Sequence, residues 1–195
     1  MKNLINPILV SLAATLLVAC GDEDKSSANY EHEKAYSKQE LFCNVISNSR
    51  DTYLEEKEKD FYIDQEAKIQ RIYDQRTLKL KELLSDGSVS NWNGEIKDIL
   101  VSKGKGAFLE VGIGCDTTLE PNDSLIISID SELYQKLRNY SENSKMKFSG
   151  TFITPKAADK NGEYPHKPFY GEKSFGQDGS MREPEFLFRF SEFHN

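Results

Sequence analysis

The first patterned stretch of the chain arranges its apolar and polar residues with a helical period. Apolar side chains recur at steps of three, four and seven throughout 41–84, and no Gly or Pro interrupts them. Ser37 and Glu40 form an S-x-x-E capping box just before this stretch, and Gly87 follows it as a left-handed cap. Segment 37–86 is therefore predicted to be helical.

A second pattern begins at Val89, where the period changes from helical to two, as in half-buried strands. Gly104-Lys105-Gly106 marks the first turn, and Ser131 is placed to cap a short helix between the third and fourth strands. The predicted strands cover 89–101, 109–113, 125–129, 146–152 and 186–190, and the predicted short helix covers 132–140.

The order of three strands, one helix and two strands resembles the OB-fold, a five-stranded Greek-key barrel with its helix between strands three and four. Trp92-x-Gly94, Phe148-Ser149-Gly150 and the last strand carry this resemblance. We expect an α+β protein, with the helical segment followed by a small OB-like barrel domain over 87–195. The alternatives are another small barrel or a curved sheet with one helix.

A stretch of about 30 residues, 154–184, joins the last two predicted strands, and a structureless loop of that length is often functional. The resemblance implies that this loop flanks the binding face of the barrel. Aromatic residues interleaved with cations can contact a protein or a glycan or stack on bases, but they can also simply pin the loop to the barrel. The candidate binding residues are Trp92, Tyr164, His166, Phe169, Tyr170 and Phe175.

The N-terminus combines Lys2 with an apolar run, 8–19, that is too short to span a bilayer. The run ends in Leu17-Val18-Ala19-Cys20, which resembles the lipobox of bacterial lipoproteins. The resemblance implies that the signal peptide, 1–19, is removed and that Cys20 carries a diacylglycerol and a further acyl chain such as palmitate. The alternative is an ordinary secretion signal followed by an unrelated Cys.

Segment 20–36 is polar and is expected to be a tether between the lipid and the helical segment. In the sorting pattern of enteric lipoproteins, an Asp directly after the lipidated Cys retains the protein at the inner membrane. Gly21 occupies that place here, and Asp22 comes one residue later. For an envelope of the enteric type, this predicts an outer-membrane lipoprotein that faces the periplasm.

Two cysteines, Cys43 and Cys115, remain once Cys20 is lipidated, and in an oxidising periplasm they are expected to pair. An unbroken helix would place Cys43 roughly 60 Å from its end at Leu84, which is nearly incompatible with such a pair. We therefore predict two helices, 38–50 and 54–84, broken at the polar run 47–52. The alternatives are a straight stalk with free thiols or an intermolecular disulfide, or a catalytic thiol with His166 as its base.

Charge and missing motifs narrow the function. The net charge is −7 and no segment is basic, which argues against nucleic acid as a partner. The chain lacks the G-x-S-x-G, P-loop, H-E-x-x-H and C-x-x-C patterns, and its three histidines are scattered. We expect a non-enzymatic binding module of the envelope that needs no cofactor or metal and holds an envelope protein. The alternative is a small-molecule or glycan binder that uses the barrel face.

Overall fold

The structure is a computed structural model, and it describes residues 36–153, 172 and 176–194. The predicted signal peptide, the predicted lipidation site Cys20 and five of the six candidate binding residues lie outside these residues. The elements follow the order α1, α2, β1–β4, α3, β5, α4 and β6. Among the described helices, none is both long and apolar enough to cross a membrane.

The helical segment contains two helices, as predicted, and they pack against each other. Helix α1 spans Lys38–Lys57 and begins with the predicted capping box, in which Ser37 and Glu40 each accept from the other's backbone N–H. Helix α2 spans Gln65–Leu83, and Gly87 follows it with a positive φ of 70°. Both helices contribute buried apolar residues to the core of the barrel.

The sheet closes into a five-stranded barrel in the order β1, β2, β3, β6, β5 and back to β1. Among the described strands of the ring, only β3 and β6 pair in parallel. A two-residue strand, β4, adds to the edge of β2 outside the ring. This closed barrel is consistent with an OB-like fold. The strands are β1 Ser88–Ser102, β2 Gly106–Gly112, β3 Thr118–Glu120, β4 Ile127–Ser128, β5 Lys145–Phe152 and β6 Glu185–His194.

The barrel core is built from aromatic rings and depends on two close backbone approaches. Phe42 of α1 packs against Trp92 and Phe152, with ring centroids 5.3 and 5.6 Å apart. A Cβ atom at Gly94 would lie 2.3 Å from a methyl group of Val111, and one at Gly150 would lie 2.3 Å from a backbone oxygen of β6. The two Gly-containing motifs therefore mark positions where no side chain fits.

The break between the helices lies later than the sequence predicted. The polar run 47–52 stays helical because Ile46 and Tyr53, on either side of it, are both buried. Within the run, Arg50 pairs with Asp116 of the barrel. The chain instead leaves the helix over 58–64. Beside this segment, the buried carboxylate of Glu56 binds Lys59 and Lys68.

Two further predictions are corrected. The third barrel strand is β3, not 125–129, because β3 is three residues long and its one apolar residue, Leu119, cannot display a period. The predicted position contains only β4. The interval 154–184, predicted as a structureless loop, contains the helix α4, Gly176–Arg182. The predicted short helix is confirmed as α3, Glu132–Leu137, with Ser131 as its N-cap.

Candidate interaction surfaces

Trp92 is the one candidate binding residue inside the described part of the chain, and it is not at the surface. Its side chain is 2% exposed and packs on Phe42 and Phe152. Its period-two neighbours, Gly94 and Ile96, follow the same strand into the core. The alternation correctly placed Trp92 on one face of β1, but that face points inward.

Cys43 and Cys115 form the predicted disulfide, with their Cα atoms 5.3 Å apart. It joins α1 to the turn between β2 and β3, where Gly114, Cys115 and Asp116 all have positive φ values. Arg50, two turns further along α1, pairs with Asp116 of the same turn. The disulfide and the ion pair together fix this turn against α1, so both cysteines have a structural role.

The outer face of β1 and β2 forms a shallow concave surface of about 490 Å³, which we call the barrel face. Leu100, 60% exposed, and Phe108 make its apolar floor, and these residues are paired across the two strands. Carboxylates surround this floor, and among the residues that the structure describes its lining contains no lysine or arginine. The acidic rim consists of Asp98, Glu110, Glu120 and Asp123. Such a surface suits an apolar group that carries positive charge.

A second concave surface, of about 720 Å³, lies beside the start of α1 and has the opposite charge character. Lys145, Lys147 and His194 line it, and Glu95 is the one carboxylate among its described lining residues. Gln39 accepts from the Asn93 N–H at 2.8 Å and donates to the Asn93 carbonyl at 2.7 Å. These bonds pin the start of α1 to the edge of β1, so part of this surface is structural.

A serine and a histidine lie together on the outside of β5 and β6. Ser149 Oγ lies 2.8 Å from His194 Nε2, while Glu192 lies 3.7 Å from Nδ1 of the same ring. The second distance exceeds a hydrogen bond. Ser149 Oγ also accepts from the Asn91 N–H at 3.1 Å, and strand pairing is irregular beside both residues. The hydroxyl of Ser149 therefore links β5 to β1 at the two positions where the strand pairing is irregular.

The groups with the clearest pKa shifts lie in the helical part, and the sequence did not single them out. Hydrogen bonds from Lys59, Tyr62 and Lys68 lower the pKa of Glu56 to about 2. Burial raises the pKa of Glu172, and the guanidinium of Arg76 opposes that rise. Each of these carboxylates is already bound to cations. Within the described ranges, no group of three or more His, Cys, Asp or Glu side chains could hold a metal ion.

No protein-family model, curated protein or solved structure matches this chain. The class of protein therefore rests on its own fold: an α+β protein in which two N-terminal helices pack on a closed, OB-like barrel. A fold of this kind hosts many activities, so the function has to be argued from its surfaces.

Proposed function

We propose that this protein is a membrane-anchored periplasmic lipoprotein that acts as a non-enzymatic binding module of the cell envelope. The lipid on Cys20 would hold it at the outer membrane, facing the periplasm, and the barrel face would bind an envelope protein. The composition supports this assignment, because the acidic surface is unsuited to nucleic acid.

The observation that carries the proposal is the apolar floor of the barrel face. Leu100 is 60% exposed at a strand position where a polar residue would also fit, and Phe108 is paired with it on the neighbouring strand. Large apolar side chains grouped in a concave surface and rimmed by polar residues are typical of binding sites. The exposed rim carboxylates Asp98 and Asp123 favour a partner that brings Lys or Arg to the same place.

The anchor is tested by replacing Cys20 with Ser and feeding cells a labelled palmitate analogue. The native chain should take up the label and sediment with the outer membrane. Cys20→Ser should lose both properties, because only a thiol can form the thioether. Label retained in the variant, or a native chain that fractionates with the inner membrane, would contradict the anchor or its location.

The binding surface is tested by photocrosslinking in cells from position 100, with Val101 as the matched control. The two residues are neighbours and almost equally exposed, at 60% and 62%, but successive strand residues point to opposite sides. A protein adduct from position 100 and not from 101 would support the barrel face. Adducts from positions 169 and 170 of the predicted binding loop would extend the contact to that loop.

The alternative function is a small-molecule or glycan binder that uses the same barrel face. The concavity of about 490 Å³ is large enough for a ligand of that size. This alternative predicts that a ligand raises the melting temperature of the native protein, because it binds only the folded state. Leu100→Ser should abolish the rise, whereas Val101→Ser should leave it unchanged.

A further inference from the structure

The most exposed large apolar residues in the described part of the chain lie at the end of the helical hairpin. The segment 58–64 joins α1 to α2, and we call it the hairpin tip. Phe61 is 78% exposed and Ile63 is 94% exposed. Only Tyr62 separates them in the chain, so these two exposed apolar residues are close neighbours on one loop.

The hairpin tip is held in place by a buried carboxylate. Glu56, 2% exposed, accepts from Lys59 Nζ at 2.8 Å and from Lys68 Nζ at 2.9 Å. The hydroxyl of Tyr62, the residue between the two apolar side chains, donates to the same carboxylate. Tyr62 is thereby fixed at the middle of the tip, while its neighbours Phe61 and Ile63 remain exposed to solvent.

The backbone of the tip is fastened as well. Gln65 is the first residue of α2. Its side-chain Nε2 donates to the backbone carbonyl of Glu56 at 2.8 Å and to that of Lys59 at 3.3 Å. These contacts join the end of α1 to the start of α2. The exposure of Phe61 and Ile63 is therefore a feature of an ordered loop, and an ordered apolar projection loses little conformational entropy on binding.

The surroundings of the tip are acidic. Segment 55–68 contains six carboxylates and three lysines, for a net charge of −3. Two of the lysines, Lys59 and Lys68, are already bound to Glu56. Glu58, Asp60 and Asp64 are exposed beside the apolar pair. An anionic bilayer surface would repel this rim, whereas a cationic protein surface would attract it.

We propose that the hairpin tip is a second docking surface, which inserts Phe61 and Ile63 into an apolar pocket with a basic rim on another protein. The exposed pair supplies the anchor, the contacts of Glu56 hold it in its bound form, and the acidic residues select the partner. This surface is separate from the barrel face, and the proposal does not depend on the function proposed for that face.

The experiment places a benzophenone photocrosslinker at position 61, 63 or 78 of the full-length chain in the cells that make it. Leu78 is the matched control, because it is a 58% exposed apolar residue on α2 outside the tip. The crosslinked protein is identified by mass spectrometry and purified. Its affinity is then measured for the native chain and for Phe61→Ser/Ile63→Ser.

We expect one protein adduct from positions 61 and 63 and none from 78. The double variant should weaken binding of the purified partner by about tenfold or more, as for anchor residues at an interface. Asp60→Lys/Asp64→Lys should weaken it less and reduce its dependence on salt. All these substitutions lie on exposed residues, so the fold should survive them, which circular dichroism would verify.

Four results would overturn the proposal. They are the absence of an adduct in cells that contain the protein, an adduct with a second copy of this chain, equal affinity of the partner for the double variant, and binding of the tip to lipid. The last is measured with vesicles of phosphatidylethanolamine and phosphatidylglycerol, on which the native chain and the double variant should behave alike. If position 100 gives no protein adduct while positions 61 and 63 do, only the function proposed for the barrel face is refuted.

Discussion

The barrel and the helical part of this protein are stabilised in different ways. The barrel core consists of packed aromatic and aliphatic side chains, with Phe148, Phe152, Phe186 and Phe188 each at most 2% exposed. A second, smaller cluster lies where α1, α2 and α4 meet, and we call it the helical cluster. It consists of Tyr53, Ile69, Ile72, Tyr73 and Met181, with Leu54 packed beside them.

Polar groups are distributed very unevenly between the two regions. Five of the six buried polar or charged residues in the described ranges belong to the helices, and only Thr117 belongs to the barrel. Arg76, 1% exposed, binds both carboxylate oxygens of Glu172 at 2.7 and 2.8 Å and also donates to the carbonyl of Ser180. Tyr53 donates to Asp178 of α4.

The two regions acquire their shapes in different ways. Apolar burial is non-directional, so the barrel core is stabilised by the amount of surface removed from water. Buried hydrogen bonds and ion pairs are directional and cost much when they are left incomplete. The helices are therefore oriented by a few specific contacts, and changes to single polar groups should affect them more locally than changes to the barrel core.

The largest expected effect is that of Phe148→Ala in the barrel core. Phe148 is fully buried and packs edge-to-face on Phe188 and Phe190, with centroids 5.6 and 5.3 Å apart. Removing the ring should lower the free energy of unfolding by about 3–5 kcal/mol. Urea unfolding followed by the fluorescence of Trp92, the one tryptophan, measures it. Val101→Ala, at an exposed position, is the control, and an equal loss in both variants would contradict this account of the core.

The next effect separates the two regions, because Arg76→Met should loosen the helices and leave the barrel in place. It leaves Glu172 buried without its cationic partner, which should cost about 3 kcal/mol. Hydrogen exchange of the amides of α4 should accelerate roughly a hundredfold. The double variant Arg76→Met/Glu172→Met replaces both charges with apolar side chains, so it should recover most of the protection of the α4 amides against exchange. Unchanged exchange in α4 would show that this ion pair does not hold the helix.

The same contrast explains what could be predicted from the sequence. Strand β5 alternates buried and more exposed residues over seven positions, with Met146, Phe148, Gly150 and Phe152 buried, so its period was visible in the sequence. The order of strands and helix along the chain predicted a barrel, and the closed barrel confirms it. The strand β3 was misplaced because three residues are too few to show a period.

The helical cluster could not be read in this way, because its contacts link residues far apart in the chain. Arg76 and Glu172 are 96 positions apart, and Tyr53 and Asp178 are 125 apart. A buried Arg looks like any other charged residue on a helix until its partner is known. The hairpin tip was also missed, although Phe61 and Ile63 beside charged residues offered a signal in the sequence.

A smaller effect is expected from Tyr53→Phe, which removes one hydrogen bond from the helical cluster and keeps the ring. The hydroxyl donates to Asp178, and its loss should cost about 1–2 kcal/mol. This hydrogen bond is also the main cause of the lowered pKa of Asp178. In the variant that pKa should rise toward its ordinary value, which carboxyl carbon NMR can follow. Tyr36→Phe, at an exposed position, should change neither quantity.

The smallest effect is expected at the hairpin tip, where acid should act through one carboxylate. Lys59, Tyr62 and Lys68 hydrogen-bond to Glu56 and lower its pKa from 4.5 to about 2 in the folded protein. Protons therefore bind the unfolded form more readily. The contribution of Glu56 to stability is complete above about pH 4.5 and is lost as the pH falls toward 2.

The protection factors of the amides in 58–64, which compare each exchange rate with the intrinsic rate at the same pH, should accordingly fall as the native protein is acidified through that range. In Glu56→Gln the side chain carries no charge at any pH, so protection in the tip should already be low at neutral pH and should not fall further with acid. The amides of β5 serve as the internal reference, because they lie in the apolar barrel core. Protection factors in the native tip that are the same at pH 2 as at pH 6 would show that packing, and not the carboxylate, fixes Phe61 and Ile63 in place.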